Sequence, residues 1–359
     1  MRCKLKDLGV ISTGNTPSKS NEAFYESDDI GFVKPDVLLD CSITEAIKVT
    51  EYISENARLK ARIMKDGAVF VTCIGSIGKV GVSDGEYAFN QQINAIQPNE
   101  KVSSKYLAYC MLYNRKALQA IANAPVVPII NKSQFEDFEV EIEEDTNEQK
   151  RIVEILDKVN SILESRNREL QELDNLIKSR FVEMFGDPIR NTQNRPTTEF
   201  INVVKMQRGF DLPVQDRQQD GDIPVFGSNG ALDRHDVAKV QGGGVITGRS
   251  GTIGKVYYTE GDYWPLNTSL FSVNTHGNNI IYLAYLLQMY DLSRFTEGTG
   301  VPTLNRNKFH DKPIIDVPLN QQEQFAVLVK QIDKLKFEVQ KSLDETQSLM
   351  DSLMQQYFG

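Results

Sequence analysis

The chain carries one sequence pattern twice, in two copies separated by about 175 residues. The segment 75–80 (GSIGKV) returns at 251–256 (GTIGKV), and 106–109 (YLAY) returns at 282–285. A third match follows in the same order, with Val-Pro, Asn and Phe at 127–135 and again at 301–309. Three matches in one order predict a duplicated folding unit. Such a chain has pseudo-two-fold symmetry, which suits the recognition of two separated half-sites on a DNA duplex.

Length and composition narrow the class of protein. With 359 residues, the chain is long enough for two or three domains that each bury a core. Cys3, Cys41, Cys73 and Cys110 form no CxxC pair, which predicts reduced thiols and no structural zinc. The N-terminus lacks the apolar core of a signal peptide, and no apolar run reaches membrane-spanning length. We therefore expect a cytoplasmic protein without a membrane partner.

The formal net charge of −9 is unfavourable for nucleic-acid binding, because duplex affinity comes largely from Lys and Arg. Residues 1–147 contain 16 basic and 21 acidic side chains, but seven of the acids fall within 136–145. Residues 187–322 contain 13 basic and 14 acidic side chains. The net charge therefore neither supports nor excludes DNA binding, and the placement of the charges decides.

The distribution of glycine, proline and apolar residues divides the chain into four segments. Residues 1–147 and 187–322 mix short β-rich runs with Gly and Pro, and they predict two α/β units, the first with a helix near 103–122. Residues 148–186 and 323–359 predict two long helices, and the first ends at a Phe-Gly-Asp-Pro stop signal.

Apolar residues on both long helices recur at alternating intervals of four and three, the heptad pattern of a coiled-coil seam. The predicted seam consists of Ile152, Leu156, Val159, Leu163, Leu170, Leu173 and Ile177 on the first helix, and of Leu328, Ile332, Leu335, Val339, Leu349 and Leu353 on the second. One seam on each helix favours an antiparallel pair within the chain, so that a coiled coil separates two pseudo-symmetric α/β units. The alternative is that each helix docks on its own globular unit or on another protein.

The repeated Gly-x-Ile-Gly-Lys-Val element looks like a phosphate-binding loop but does not satisfy that motif. A P-loop needs a further glycine upstream and Ser or Thr after its Lys, and both copies lack these residues. One interpretation is a tight turn between two strands. The other is that Lys79 and Lys255 contact DNA phosphates from these turns.

Two polar stretches differ between the copies. The segment 90–92 (NQQ) corresponds to 267–269 (NTS), and Asn or Gln can pair bidentately with adenine in the major groove. The other interpretation is alternation in a half-buried strand. Likewise, 131–134 (NKSQ) and 305–308 (NRNK) either form solvated helix caps or present Asn, Lys and Arg to DNA. Arg208, Arg249 and the pair Arg234-His235 are unique to the second copy.

Catalytic motifs are missing from the sequence. We find no glycine-rich adenosylmethionine loop, no Walker A motif and no His-Glu-x-x-His motif, and His235, His276 and His310 all lie in the second copy. We therefore expect no catalytic residue and no metal site in this chain. Two function classes stay open: a DNA-binding protein, and a structural adaptor whose paired helices join two protein-binding α/β modules.

Several motifs together resemble the specificity subunits of type I restriction-modification enzymes. They are 14–18 (GNTPS), 32–36 (FVKPD), 75–79 (GSIGK), 90–92 (NQQ), 148–153 (EQKRIV) and 181–188 (FVEMFGDP). The resemblance covers nearly the whole chain in the family's order. It implies target-recognition domains at 1–147 and 187–322, and spacer helices at 148–186 and 323–359.

The resemblance implies a non-catalytic DNA reader. Each target-recognition domain would read one half of a bipartite asymmetric site, and the helices would set the gap and dock modification subunits. Two modification subunits would methylate adenine with S-adenosylmethionine, and two restriction subunits would cleave DNA with ATP and Mg²⁺, so no cofactor is expected in this chain. The acidic run at 136–145 would act away from DNA.

The candidate DNA-contacting residues combine the polar positions of both copies. They are Thr16, Ser18, Lys19, Lys34, Ser76, Lys79, Asn90, Gln91, Gln92, Asn131, Lys132, Arg208, Arg249, Ser250, Lys255, Asn267, Thr268, Asn305, Arg306 and Lys308.

Overall fold

The computed structural model describes residues 1–122, 127–298 and 302–359. Val301, part of the third repeated match, lies outside the described residues. Among the residues that are described, no helix has both the length and the apolar character that crossing a bilayer requires.

The chain forms two compact units. Met1–Ser165 and Leu343–Gly359 make up the first unit, and Arg166–Ser342 makes up the second. Each unit therefore combines one copy of the repeat with parts of both long helices.

The first copy is built from short strands and three short helices, followed by a long helix. Its strands are β1 (Arg2–Lys4), β2 (Gly9–Thr13), β3 (Ile30–Val33), β4 (Tyr52–Ile53), β5 (Ile63–Met64), β6 (Val69–Thr72), β7 (Val80–Val82), β8 (Tyr87–Phe89), β9 (Ile93–Pro98) and β10 (Glu139–Glu141). Its helices are α1 (Ser104–Tyr113), α2 (Arg115–Ile121), α3 (Lys132–Glu136) and the long α4 (Thr146–Phe185).

The second copy follows the same plan. Its strands are β11 (Thr197–Glu199), β12 (Lys205–Arg208), β13 (Ile223–Gly227), β14 (Gly230–His235), β15 (Gly244–Gly248), β16 (Val256–Thr259), β17 (Trp264–Pro265), β18 (Ser269–Asn274), β19 (Thr296–Glu297), β20 (Thr303–Leu304) and β21 (Pro313–Ile315). Its helices are α5 (Phe200–Val203), α6 (Ile280–Tyr290) and the long α7 (Leu319–Phe358). Short 3-10 helices occur at Leu5–Asp7, Glu22–Phe24, Pro35–Val37, Glu55–Lys60, Val214–Asp216, Leu292–Phe295 and Arg306–Lys308.

The main sheet has the same strand order in both copies, whereas the second sheet has four strands in the first copy and three in the second. An antiparallel sheet has the order β2-β9-β6-β7 in the first copy and β12-β18-β15-β16 in the second. A second sheet contains a parallel pair, β3 with β8 in one copy and β13 with β17 in the other. The terminal strands pair as β1 with β10 and as β11 with β21. The duplicated, mixed α/β fold predicted from the repeat is confirmed.

The repeated YLAY motif belongs to the core. Tyr106 and Leu107 on α1 are buried, and so are Tyr282 and Leu283 on α6. The helix predicted near 103–122 is interrupted at Asn114, whose side-chain amide donates to the carbonyl oxygen of Cys110 at 2.9 Å. This side chain competes with the helical backbone hydrogen bonds, so two helices, α1 and α2, fill the segment in which the sequence predicts a helix.

A buried glutamine fixes the start of each long helix. The side-chain oxygen of Gln149 accepts from the backbone N–H of Ser103 at 3.0 Å, and its amide donates to two carbonyl oxygens. Gln322 makes the same kind of contact with the backbone N–H of Asn279 at 2.9 Å. Both side chains are buried, so each satisfies backbone groups just before α1 or α6. Gln149 and Gln322 therefore have a structural role: each holds the first turns of a long helix against the globular part of its unit.

The two long helices pair in antiparallel fashion within each unit. In the first unit, Leu156 and Leu163 near the start of α4 share a core with Met350 and Met354 near the end of α7. In the second unit, the end of α4 and the start of α7 share a core. That cluster includes Ile177, Phe181, Phe185, Phe325, Val329 and Ile332. The predicted coiled-coil pair is confirmed.

The seam predicted for α7 was partly wrong. Leu335 and Leu349 are 56% and 52% exposed, whereas Val329, Ile332, Val339, Met350 and Met354 are buried. The predicted stripe and the buried stripe share Ile332 and Val339. Towards the end of α7 the buried residues, Met350 and Met354, each lie one position after the predicted ones, Leu349 and Leu353. Sequence periodicity could not choose between them, because both have apolar residues at intervals of four and three. Contacts with α4 and the globular cores decide in favour of the stripe that contains Phe325 and Met350.

The acidic run at 136–145 is partly neutralised by the N-terminal residues. Asp137 accepts hydrogen bonds from Lys6 at 2.8 Å and from Lys4 at 3.0 Å, and these two ammonium groups lower its carboxyl pKa. Glu139 on β10 pairs with Arg2 on β1 at 2.8 Å. This part of the run supports the β1–β10 pair.

Candidate nucleic-acid interface

The Gly-x-Ile-Gly-Lys element is a tight turn in both copies. It joins β6 to β7 in the first copy and β15 to β16 in the second, and both strand pairs are antiparallel. Gly75 and Gly78 have φ of 73° and 84°, and Gly251 and Gly254 have 85° and 94°. These values lie in the left-handed region, which explains the repeated glycines.

The two lysines of these turns differ. The Lys79 side chain is only 14% exposed, and its Nζ lies 3.7 Å from Oδ1 of Asp40. Arg115 donates to the same carboxylate at 3.2 Å and to the Ile77 carbonyl at 3.3 Å. Lys79 is therefore held inside the fold, and its prediction as a phosphate contact is corrected. Lys255 is exposed and forms no salt bridge with any residue that the structure describes.

The first copy has a cleft of about 500 Å³ beside the turn that ends β8. We call it the first cleft. It is lined by Thr16, Pro17, Ser18, Lys19, Tyr25, Phe32, Lys34, Glu51, Tyr52, Asn90 and Gln91. Six predicted DNA-contacting residues thus meet in one place, although they come from three separate segments of the chain.

The polar side chains of the first cleft are arranged by a few contacts. Thr16 Oγ1 donates to Gln91 Oε1 at 2.9 Å, so this pair joins two loops at an exposed edge. Tyr25 donates its hydroxyl proton to the Pro17 carbonyl at 2.6 Å, which fixes the 16–19 loop. Lys34 pairs with Glu51. The cleft therefore offers both hydrogen-bond donors and acceptors, next to aromatic faces.

Asn90 has a structural role. It is buried, its amide donates to Gln92 Oε1 at 2.9 Å, and its oxygen accepts from the Gln92 backbone N–H at 3.1 Å. The readout role predicted for Asn90 is corrected, because its polar atoms are already used inside the turn. Gln91 is exposed between these residues and keeps its access to solvent.

The second copy has a smaller cleft of about 280 Å³ at a different place. We call it the second cleft. It is lined by Arg208, Arg249, Leu270, Glu297, Thr303, Leu304, Asn305 and Arg306. Four predicted residues meet here, and three of them are arginines. Glu297, the acid of this cleft, is already paired with Lys308 at 2.7 Å.

The remaining predicted residues mostly support local structure. Asn131 and Asn305 accept from backbone N–H groups at 2.9 and 3.1 Å and cap the helical turns that follow. Lys132 pairs with Glu136 at 3.3 Å along α3. Asn267 bonds to Asp211, and the Thr268 carbonyl accepts from the backbone N–H of Ser250 at 3.2 Å. Ser76 is exposed at its turn.

Several residues that line the two clefts were not predicted from the sequence as DNA-contacting residues. Tyr25, Glu51, Tyr52 and Glu297 have no counterpart in the repeat that would single them out. In the second copy, the Lys239 ammonium lies 5.0 Å from the Phe210 ring centre and 5.7 Å from that of Trp264, a second place where a cation and aromatic rings meet. No sequence spacing indicates this cluster, because three separate segments supply it.

No group of three or more His, Cys, Asp or Glu side chains placed to hold a metal ion occurs among the described residues.

A family model for the type I restriction modification DNA specificity domain matches this chain twice, at residues 1–175 and 191–346. The two matches follow the two copies of the fold and together cover most of the chain. The chain belongs to this family. Both copies are therefore DNA specificity domains, and the resemblance seen in the sequence motifs is confirmed.

Curated relatives of these specificity domains carry names of the same kind. The HindI specificity subunit of Haemophilus influenzae is 34% identical over 181 residues, which are 47% of this chain and 38% of that protein. The EcoR124I/EcoR124II specificity subunit of Escherichia coli is 31% identical over 46% of this chain and 43% of that protein. The MjaIX specificity subunit of Methanocaldococcus jannaschii is 25% identical over 53% and 45%. The matches therefore span less than half of these relatives.

Solved structures share the whole fold. The type I restriction-modification S subunit from M. genitalium has a TM-score of 0.62 at 14% identity, covering 100% of this chain and 96% of that one. A chain from a structure of type I complex assembly and conformational transition has a TM-score of 0.61 at 12% identity, covering 99% and 97%. At these identities the likeness concerns the fold: two specificity domains and two long helices.

Proposed function

We propose that this chain reads a bipartite DNA sequence as the specificity subunit of a type I restriction-modification complex. The observation that carries the proposal is the presence of two specificity domains with clefts of different chemistry in one chain. The first cleft mixes Thr, Gln, Lys and Glu with tyrosines, whereas the second is dominated by arginines. A duplicated scaffold with different polar clefts suits two different half-sites.

The remaining steps belong to partner subunits in this proposal. Two modification subunits would use S-adenosylmethionine to methylate adenine, and two restriction subunits would use ATP and Mg²⁺ to cleave DNA, all in the cytoplasm. This chain would contribute recognition, position the half-sites and supply docking surfaces. The family supports the non-catalytic role of the chain itself.

The proposal is tested by mapping methylated adenines in DNA from cells that express this chain with the modification subunit of its own system. We expect one bipartite motif, with an adenine methylated in each half and an unread gap between the halves. Cells that lack only this chain serve as the control. A contiguous motif, or the same motif without this chain, would contradict the proposal and favour a structural adaptor.

Replacing Lys255 by alanine is expected to weaken DNA binding without a change of base preference. The side chain is exposed at the β15–β16 turn, and a phosphate contact contributes about 0.9 to the slope of log affinity against log salt concentration. Fluorescence anisotropy at several salt concentrations measures this slope. The matched control is Lys79→Ala, at the equivalent turn, where the lysine is held at Asp40 and the slope should stay constant. Equal slopes for Lys255→Ala and the unmodified chain would rule out the contact.

The long helices carry a second apolar stripe outside their shared seam. On α4, Ile155, Ile162 and Leu176 are exposed at intervals of seven or fourteen residues. On α7, the exposed Leu335 and Leu349 are fourteen residues apart. A heptad stripe that is left exposed is typical of a helix that packs on further helices. We infer that this stripe docks the modification subunits.

Replacing Leu335 by lysine is expected to weaken modification-subunit binding by roughly 10- to 100-fold, because an apolar contact is lost and a charge would be buried. The matched control is Phe337→Lys. Phe337 is 68% exposed on the same helix but lies about 160° around its axis from Leu335. Co-purification and calorimetry measure both variants. Equal losses in the two variants would contradict the docking stripe.

A further inference from the structure

The arginines that line the second cleft can be matched one by one with residues at equivalent positions of the first domain. The backbone N–H of Arg249 donates to the Thr268 carbonyl at 2.8 Å, as that of Cys73 donates to the Gln92 carbonyl at 2.7 Å. The carbonyls of Arg249 and Cys73 accept from Leu304 at 2.8 Å and from Ile130 at 2.9 Å. Arg249 and Cys73 are therefore equivalent positions of the duplicated fold.

The same comparison pairs Arg208 with Thr13. Arg208 is opposite Leu270 in the β12–β18 ladder, and Thr13 is opposite Asn94 in the β2–β9 ladder. A glycine follows each of them, and a Cβ on either glycine would lie 2.2 Å from a carbonyl oxygen of the neighbouring loop. The two strands thus end in the same way, and only the side chains before the glycine differ.

The two domains place opposite kinds of side chain at these equivalent positions. In the first domain, Cys73 is buried, with its thiol pKa raised to about 12 by burial, and Thr13 Oγ1 bonds to Asn94 at 2.5 Å. In the second domain, two guanidinium groups line a cleft instead. A third cation is common to both domains, because Arg306 corresponds to Lys132 after the capping asparagines.

Whether a cation occurs in both domains or in only one indicates whether it contacts phosphate or bases. The phosphate backbone is chemically the same in every half-site, so a cation that positions a domain on the backbone is expected in both copies. A cation present in one copy alone is expected to contact what differs between the half-sites, namely the base edges. Arginine reads guanine by donating two hydrogen bonds to O6 and N7 in the major groove.

The arginines of the second cleft are available for this role. Arg208 is exposed, and neither Arg208 nor Arg306 forms a salt bridge with a described residue. Arg249 is half-buried and donates from one guanidinium nitrogen to the Asn267 carbonyl at 3.0 Å, which orients the rest of its planar fork. The neighbouring His310 has a lowered pKa. Burial is the largest cause, and the positive charges of Arg306 and Lys205 add to it.

We propose that Arg208 and Arg249 make the second domain a guanine reader, so that its half-site contains at least one guanine that these side chains specify. Arg306, like Lys132 in the first domain, contacts phosphate. This inference rests on the proposed function and adds the chemical class of one half-site to it.

The test uses the full chain with the modification subunit of its own system, and selects bound duplexes from a randomised DNA library. Arg208→Lys and Arg249→Lys keep the charge but lose the bidentate fork, and each is expected to lower the preference for guanine at one position by roughly 10- to 100-fold. Arg190→Lys, at an exposed arginine outside the second cleft, is the matched control and should leave the selected motif unchanged. Thermal melting checks that each variant is folded. Arg249→Lys also removes a hydrogen bond to the Asn267 carbonyl, whereas Arg208 is exposed, so Arg208→Lys tests guanine reading without that structural change.

The outcomes separate this inference from the function on which it rests. If the unmodified chain selects no bipartite motif, the proposed function fails and the inference with it. If a bipartite motif is selected but both lysine variants keep every base preference, the proposed function stands and guanine reading is overturned. In that case a smaller salt slope after Arg208→Ala would assign the cleft to phosphate binding.

Discussion

Deleting one heptad from both long helices is expected to shorten the unread gap between the half-sites by about three base pairs. Seven residues correspond to about 10.5 Å of helix, and one base pair occupies about 3.4 Å of duplex. Removal of residues 166–172 and 339–345 shortens α4 and α7 by equal amounts near their middles, and a deletion of seven residues keeps the apolar seam in register. The half-sites should stay the same, because neither cleft contains these residues. Mapping of methylated adenines measures the gap directly.

Two controls make this prediction specific. Deleting residues 166–172 alone leaves helices of unequal length, so the antiparallel contacts on one side of the deletion are lost, and we expect weak assembly and little methylation. Deleting four residues from each helix keeps the lengths equal but moves the seam out of register, which should lower the melting temperature. An unchanged gap after the paired deletion of seven residues, or altered half-sites, would contradict the idea that the helices set the spacing.

Replacing Phe185 by alanine is expected to lower the free energy of unfolding of the second unit by about 3 to 5 kcal/mol. Phe185 is fully buried at the end of α4, and its ring centre lies 5.0 Å from that of Phe181, 5.1 Å from Tyr282 and 5.6 Å from Phe325. The ring therefore joins α4, α6 and the start of α7, and alanine would leave a cavity among three elements. Urea denaturation followed by circular dichroism measures the loss.

The matched control for this prediction is Phe337→Ala, since Phe337 is an exposed phenylalanine on α7 and its removal should change the stability by less than about 0.5 kcal/mol. Phe358→Ala provides an independent repetition, because Phe358 ends α7 and its ring lies 5.1 Å from Tyr106 in the first unit. A loss below about 1 kcal/mol for both Phe185→Ala and Phe358→Ala would contradict their role in closing the two cores.

The sequence predicted the architecture well because the features that set it are local or periodic. Glycines with left-handed backbone angles, the buried YLAY helices and the heptads of α4 all follow from rules that act over a few residues. The repeat then indicated that the same α/β unit would occur twice. The seam on α7 was placed only in part, since Leu335 and Leu349 continue the same period as the buried residues and only packing on α4 separates the two stripes.

The candidate interface was less predictable than the fold. Lys79 and Lys255 occupy the same position of the same motif, yet Asp40, 39 residues before Lys79 in the chain, holds one of them inside the fold. Asn90 and Gln91 are neighbours in sequence, but the first is buried and hydrogen-bonded to Gln92, whereas the second is exposed. Such differences depend on partners from distant segments, which spacing in the sequence does not record.

By itself, the sequence determined that this protein is a duplicated α/β chain with two long helices, because repetition and heptad period are properties of the residue order. Only the tertiary structure decided which polar residues share a cleft, which apolar stripe of α7 faces α4, and which cations form salt bridges within the described part of the chain. It also showed that the duplicated scaffold carries Arg208 and Arg249 where the first domain has Thr13 and the buried Cys73. The physical reason is that burial and ion pairing arise from contacts between segments far apart in the chain.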